Sequence, residues 1–132
     1  MSEITSGTAL AGYLTTYPQQ VVFGAADPAE VFDRYHTPDF VMVNDGLTLD
    51  RERLLGHVRP ARHNATAIDV YVDEAFVDGT RVAARYTLTA RMRHSGVVAT
   101  EIHMFGQLAP DGRLRRVEQL TRTLPATDPA AS

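Results

Sequence analysis

The side chains that could move a proton or hold an oxygen are few. They comprise five histidines (His36, His57, His63, His94 and His103), the neighbours Asn44 and Asp45, the phenols Tyr17 and Tyr86, Gln119, and a Glu101-x-His103 pair. A histidine titrates near neutrality and is the natural general base. His57 follows Arg53 by four residues and Leu54 by three, so on a helix it reaches the edge of the apolar side. His63 stands at the entry to the next segment. Asp45 offers a carboxylate beside an amide that takes no proton at useful pH. His36, His57, His63 and His103 are not spaced as metal ligands, and neither His-x-His nor His-Glu-x-x-His occurs, so no metal site is expected.

Composition removes several chemistries. There is no cysteine, which excludes thiol nucleophiles, thiolate metal sites and disulfides. There is no lysine among the 13 basic residues, which excludes a Schiff base on a side-chain amine. The four serines are Ser2, Ser6, Ser95 and Ser132, in the ends and one turn, which disfavours a serine nucleophile. Phe105-Gly106-Gln107 lies inside a strand pattern, so Gly106 marks a bulge rather than a phosphate cradle. No cofactor is expected.

Neither a targeting segment nor a membrane span is expected, which points to the cytoplasm. Heavy use of Ala, Arg and Gly without Lys points to a GC-rich, bacterial genome. Residues 1–50 hold one arginine against seven acids, and residues 51–132 hold twelve against nine. With a net charge of −3 and aromatics not interleaved with the arginines, nucleic acid is not an expected partner.

These residues must be positioned by a single domain spanning 1–132, long enough at 44% apolar content to bury its own core. Leu10, Tyr13, Leu14 and Tyr17 recur at three and four, which predicts a helix over Thr8–Tyr17 that Pro18 breaks or kinks, with Gln19–Phe23 resuming as a short turn. Asp27-Pro28 with Glu30 predicts a capped second helix burying Val31, Phe32 and Tyr35 and ending before Thr37-Pro38. Phe40–Asn44 reads as a short strand closed by Asp45-Gly46. A third helix starts at Asp50, with a Leu49–Leu54 staple, and stops near Pro60.

Four strands then follow, over Ala67–Phe76, Arg81–Arg93, Val97–Leu108 and Leu114–Leu124, joined by Gly-containing turns. In the second of them Val82, Ala84, Tyr86, Leu88, Ala90 and Met92 alternate with arginines and threonines. If Ile102, Met104 and Leu108 face in with them, Glu101 and His103 face out, where Arg85 and Arg91 neutralise the acid. The core spans about 8–124, and the tail over 125–132 is expected to be flexible.

The order of elements resembles the nuclear transport factor 2-like superfamily, in its SnoaL-like form, alongside polyketide cyclases and ketosteroid isomerases. The resemblance rests on helix, Asp27-Pro28 helix, Tyr35-x-x-Pro-Asp-Phe40, strand ending Asn44-Asp-Gly46, third helix, and a meander with Asp111-Gly-Arg-Leu before its last strand. It implies an α+β fold: a cone-shaped, curved antiparallel sheet wrapped around N-terminal helices, with an apolar pocket at one end, as a homodimer through the sheet. It also implies that the carboxylate base of the isomerases falls at Asn44, with Asp45 adjacent. Their oxyanion acid falls at Met104, and their helix tyrosine near Gln19 and Tyr17.

The expected pocket therefore holds Asn44, Tyr86, Gln119 and Tyr17 as hydrogen-bonding groups, with Phe32, Tyr35, Met42, Met104 and Val117 as walls. Two functions fit. One is a cofactor-free cyclase, isomerase or dehydratase that moves a proton on a small hydrophobic, oxygenated metabolite, with His57, His63 or Asp45 as the mobile base and Tyr86 and Asn44 in the catalytic set. The other is a non-catalytic binding or dimerising module.

Overall fold

Ser6 opens the first helix by accepting the Ala9 N–H, one of the donors that a helix start leaves unpaired. The computed structural model describes residues 3–125; of the tail over 125–132 that is expected to be flexible, all but Pro125 lies outside them. Helix α1 runs Gly7–Phe23 without interruption. Pro18 costs it one hydrogen bond, but Val21 and Val22 beyond the proline are buried, and the Gly24 N–H closes on the Gln20 carbonyl. Packing thus carries the helix through the expected break.

Helix α2 (Pro28–Tyr35) is capped by the Asp27 side chain on the Ala29 N–H and buries Val31, Phe32 and Tyr35, as the sequence predicts. Strand β1 (His36–Asn44) begins directly at its end, four residues earlier than Phe40. Asp45 (φ 51°) and Gly46 (φ 85°) both adopt the left-handed turn that an Asp-Gly pair permits, and they fold the chain into β2 (Leu47–Asp50). This short strand has no alternation in the sequence to mark it, because only Leu49 of its four residues is buried.

Helix α3 (Arg51–Asn64) starts under the Asp50 cap and passes Pro60. Its final turn is held by Arg62, whose guanidinium donates to the carbonyls of Val22 and Gly24.

The meander comprises β3 (Ala65–Asp78), β4 (Arg81–Met92), β5 (Gly96–Leu108) and β6 (Leu114–Thr123). The six strands form one sheet in the order β2-β1-β6-β5-β4-β3. Every pairing is antiparallel except β1 with β6, which is parallel. Register shifts at Val72/Glu74 and Gln107/Leu108 curve the sheet around the helices.

Its concave face carries Val82, Ala84 and Tyr86 with Ile102, Met104, Leu114 and Val117, packed on Leu10, Leu14, Phe32 and Phe40. The convex face carries arginines together with large apolar groups left in the open: Tyr71 is 71% exposed, Phe76 60%, Phe105 68% and Leu120 69%. Glu101 lies outward as predicted, but its partners are His103 at 3.3 Å and Arg122 at 3.4 Å. The register sets Arg85 opposite Glu74 instead, at 3.5 Å, so the expected Arg85 and Arg91 pairing does not form. Among the described residues, no helix is long and apolar enough to cross a membrane.

Candidate functional site

Four-residue spacing on α1 puts Tyr13 and Tyr17 on one face, and the abrupt passage from α2 into β1 delivers Tyr35 and His36 against them. The Tyr13 and Tyr17 rings stack at 5.5 Å, Tyr17 meets His36 edge-on at 5.0 Å, and Phe32 stacks on His36 at 4.1 Å. His36 is 2% exposed. Its Nδ1 lies 2.8 Å from the Phe32 carbonyl, and its Nε2 lies 2.7 Å from the Tyr13 hydroxyl. A carbonyl only accepts, so Nδ1–H is the donor there, and Nε2 presents its lone pair to the Tyr13 O–H. The histidine is thereby a neutral base with a fixed tautomer.

Burial lowers the His36 pKa to about 4, against the opposing pull of the Phe32 carbonyl and the nearby Asp33 charge. Asp33 is gripped by Arg51 at 2.9 and 3.0 Å, and this hydrogen-bonded guanidinium lowers its carboxyl pKa. Arg113 closes the same corner by donating to the carbonyls of Asp33 (3.2 Å) and His36 (3.4 Å).

The phenols around this pair hold their protons tightly. Burial raises the Tyr13 pKa well above the ordinary value, with further contributions from Tyr17, Tyr86 and Tyr35. Burial raises Tyr17 as well, helped by the Asp33 charge, and burial alone raises Tyr86. Tyr17 and Tyr86 are therefore donors, not bases. Tyr35 spends its hydroxyl on Gln20 Oε1 at 2.9 Å. Tyr17 and Tyr86 have no hydrogen-bond partner among the described residues. No buried side-chain polar atom there lacks a partner either, so these two hydroxyls open onto accessible space. A cleft of about 250 Å³ reaches Tyr13 and Tyr35 between α1 and the segment at Ile4, with Gly12 and Thr16 along it.

The structure gathers some of the expected site residues and separates others. Tyr86, Phe32, Met104 and Val117 are buried in the concave core with Tyr17 and Met42 packed against it, and Tyr35 is buried in a second cluster with Val21, Val31 and Ile68. Gln119 Nε2 donates to Asn44 Oδ1 at 2.9 Å, a single bond across the β1–β6 pairing that leaves Asn44 Nδ2 and Gln119 Oε1 outside it. Asp45 is exposed in its turn and accepts from both the backbone N–H and the hydroxyl of Thr121, bonds that lower its carboxyl pKa. His57 and His63 lie on the exposed side of α3.

The residues that sequence reasoning passed over are His36 and Tyr13. In the sequence Tyr13 carries only the signal of an apolar helix face. The available signal for His36 was its place directly after Tyr35 and four residues after Phe32, at the end of a helix whose buried side those two residues mark. Among the described residues, no group of three or more His, Asp or Glu side chains could hold a metal ion.

No family model and no curated protein matches the chain. Solved structures do. A nuclear transport factor 2-like protein from Anabaena variabilis superposes with a TM-score of 0.66 at 12% identity, over 88% of this chain and 89% of that one. A protein of ketosteroid isomerase-like fold from Catenulispora acidiphila, solved in complex with trimethylamine, gives a TM-score of 0.62 at 12% identity, over 87% and 85%. A proposed SnoaL-like polyketide cyclase from Shewanella denitrificans gives 0.63 at 12% identity, over 80% and 85%. Likeness at such identities concerns architecture. Helices enclosed by a curved, unclosed six-stranded sheet, in an arrangement shared with these structures, give this chain the nuclear transport factor 2-like fold.

Proposed function

We propose that the cup binds a small, hydrophobic, oxygen-bearing metabolite and moves a proton on it without a cofactor, as a cyclase, isomerase or dehydratase would. The observation that carries this reading is the Tyr13–His36 hydrogen bond inside an apolar shell, beside two phenols with no partner among the described residues. Tyr17 and Tyr86 donate to a carbonyl or hydroxyl oxygen of the ligand and stabilise the charge that develops there. Donors aimed in advance at such an oxygen are worth several kcal/mol in a dry site. The proton leaving the ligand passes to the Tyr13 oxygen as the Tyr13 proton moves to His36 Nε2, and it returns along the same route to its new position. Burial opposes the imidazolium formed in between, and the Asp33 charge and the Phe32 carbonyl offset part of that cost. In this reading His36 takes the role that the sequence offers to His57, His63 or Asp45, while the Asn44–Gln119 pair orients the ligand.

A second reading, a binding module without turnover, is favoured by the Asn44–Gln119 bond, because the oxygen of Asn44 is already taken by Gln119 and an amide accepts no proton at useful pH. The test is native mass spectrometry of protein purified from its own host, followed by incubation with the compound that co-purifies. Conversion that falls at least a hundredfold in both Tyr86→Phe and His36→Gln supports catalysis. A bound compound that is never converted leaves the binding reading, and conversion unchanged in both variants overturns the assigned roles.

A homodimer through the convex sheet face, in the cytoplasm, belongs to the same proposal. Hollows of about 360 and 440 Å³ flank Phe105, with Arg81, Arg116 and Glu118 lining one and Phe76, Glu74, Arg85 and His103 the other. Apolar knobs, hollows and charges of both signs on one face give a self-complementary surface.

A further inference from the structure

Two stretches of the chain contain no acidic residue. Between Glu52 and Asp69 the only ionisable side chains are Arg53, His57, Arg59, Arg62 and His63. Between Asp78 and Glu101 the charged side chains are Arg81, Arg85, Arg91 and Arg93, followed by His94. The fold brings the ends of these stretches together. The Arg93 N–H donates to the Asn64 carbonyl at 2.7 Å, the Thr66 hydroxyl donates to the Arg91 carbonyl at 3.2 Å, and Ala65 pairs with Met92. Arg59, His63, Arg91, Arg93 and His94 are all exposed there, while the recorded ion pairs among the described residues lie elsewhere. In a protein of net charge −3, one end is a concentrated field of guanidinium groups.

Beside this end, a groove of about 330 Å³ runs between α2 and α3. Pro28, Ala29, Leu55 and Val58 give it apolar lining, and Arg59 and Arg62 line it with charge. The one carboxylate in the lining, Asp27, caps the Ala29 N–H at 3.0 Å.

We infer that this basic end and its groove dock an acidic, amphipathic helix of a partner protein. Guanidinium forks match carboxylates in bidentate geometry. The groove accepts aliphatic side chains from the same helix, as grooves that receive amphipathic helices do. Residues 53–68 and 87–100 contain no Phe, Tyr or Trp, so the surface lacks the large stacking platforms that single-stranded nucleic acid uses.

The test titrates the labelled protein with a synthetic helical peptide carrying glutamates on one face and leucines on the other, followed by NMR. Shifts should map to α3, Pro28–Ala29 and the β4–β5 turn. The exposed double variant Arg59→Glu/Arg93→Glu should weaken binding at least tenfold with its melting curve intact, and the Arg59→Gln/Arg93→Gln pair should lose less. Arg122→Glu, on the convex face, should bind as the parent does. Shifts that map elsewhere, an unchanged affinity in the double reversal, or tighter binding of a 20-base-pair DNA duplex than of the peptide would each overturn the docking of an acidic helix.

Discussion

An imidazole with both nitrogens engaged inside an apolar shell supports the fold only while it stays neutral. The pKa of His36 is about 4 in the folded protein against about 6.5 unfolded, so between these values the unfolded chain binds the extra proton. The stability from keeping His36 neutral is therefore fully present above pH 6.5 and is lost as pH falls toward 4, by about 3 kcal/mol across that window. Urea denaturation at several pH values should show this fall in the parent, and His36→Gln should show a flatter profile over the same window. An equally steep profile in the variant would assign the loss to other groups. Little of this pair could be read from residue types alone. Tyr13 sits at helical spacing with Leu10, Leu14 and Tyr17, as any core aromatic would. His36 becomes a base only because α2 ends on it and Phe32, four residues earlier, offers its carbonyl.

Helices announce themselves at their starts, and the Asp27 and Asp50 caps were legible because a cap is a local bond between near neighbours. Their ends were not. Both α1 and α3 outlast a proline, because distant contacts hold the turns beyond it: Val21 and Val22 in the core, and Arg62 on the carbonyls of Val22 and Gly24. The alternation in β4 was plain from composition, whereas β2, with one buried residue, carries almost no pattern. Gly106 shows how an element depends on a missing atom. A Cβ there would stand 2.8 Å from the Arg116 carbonyl oxygen and 3.0 Å from Val82 Cγ2. Gly106→Ala should cost about 1–3 kcal/mol in denaturant unfolding, as overpacking does. Gly12, inside α1 with open space around it, provides the contrast. Gly12→Ala should be neutral or stabilise by up to about 1 kcal/mol. Equal effects at the two glycines would contradict the packing described at β5.

At the scale of the whole molecule, two faces carry the proposed contacts with other chains. The convex sheet face holds Phe76 and Phe105 on either side of Ala83, with Leu120 opposite His103. Size-exclusion chromatography with light scattering should give the mass of a dimer, and Phe105→Asp with Leu120→Asp should shift it to a monomer. A monomeric parent would remove the self-association proposal. The meander and the order of elements were legible at this scale; the parallel junction was not, because β1 and β6 lie far apart in the chain and neither sequence names its partner. That junction has a consequence for how the protein is made. Strand β6 lies between β1 and β5, so β1 and β2 have no neighbour on that side until residues 114–119 leave the ribosome. A nascent chain stalled short of that point carries two unfinished half-sheets with open edges, the kind of intermediate that aggregates or recruits a chaperone. Synthesis of this cone is thus committed only when β6 is in place.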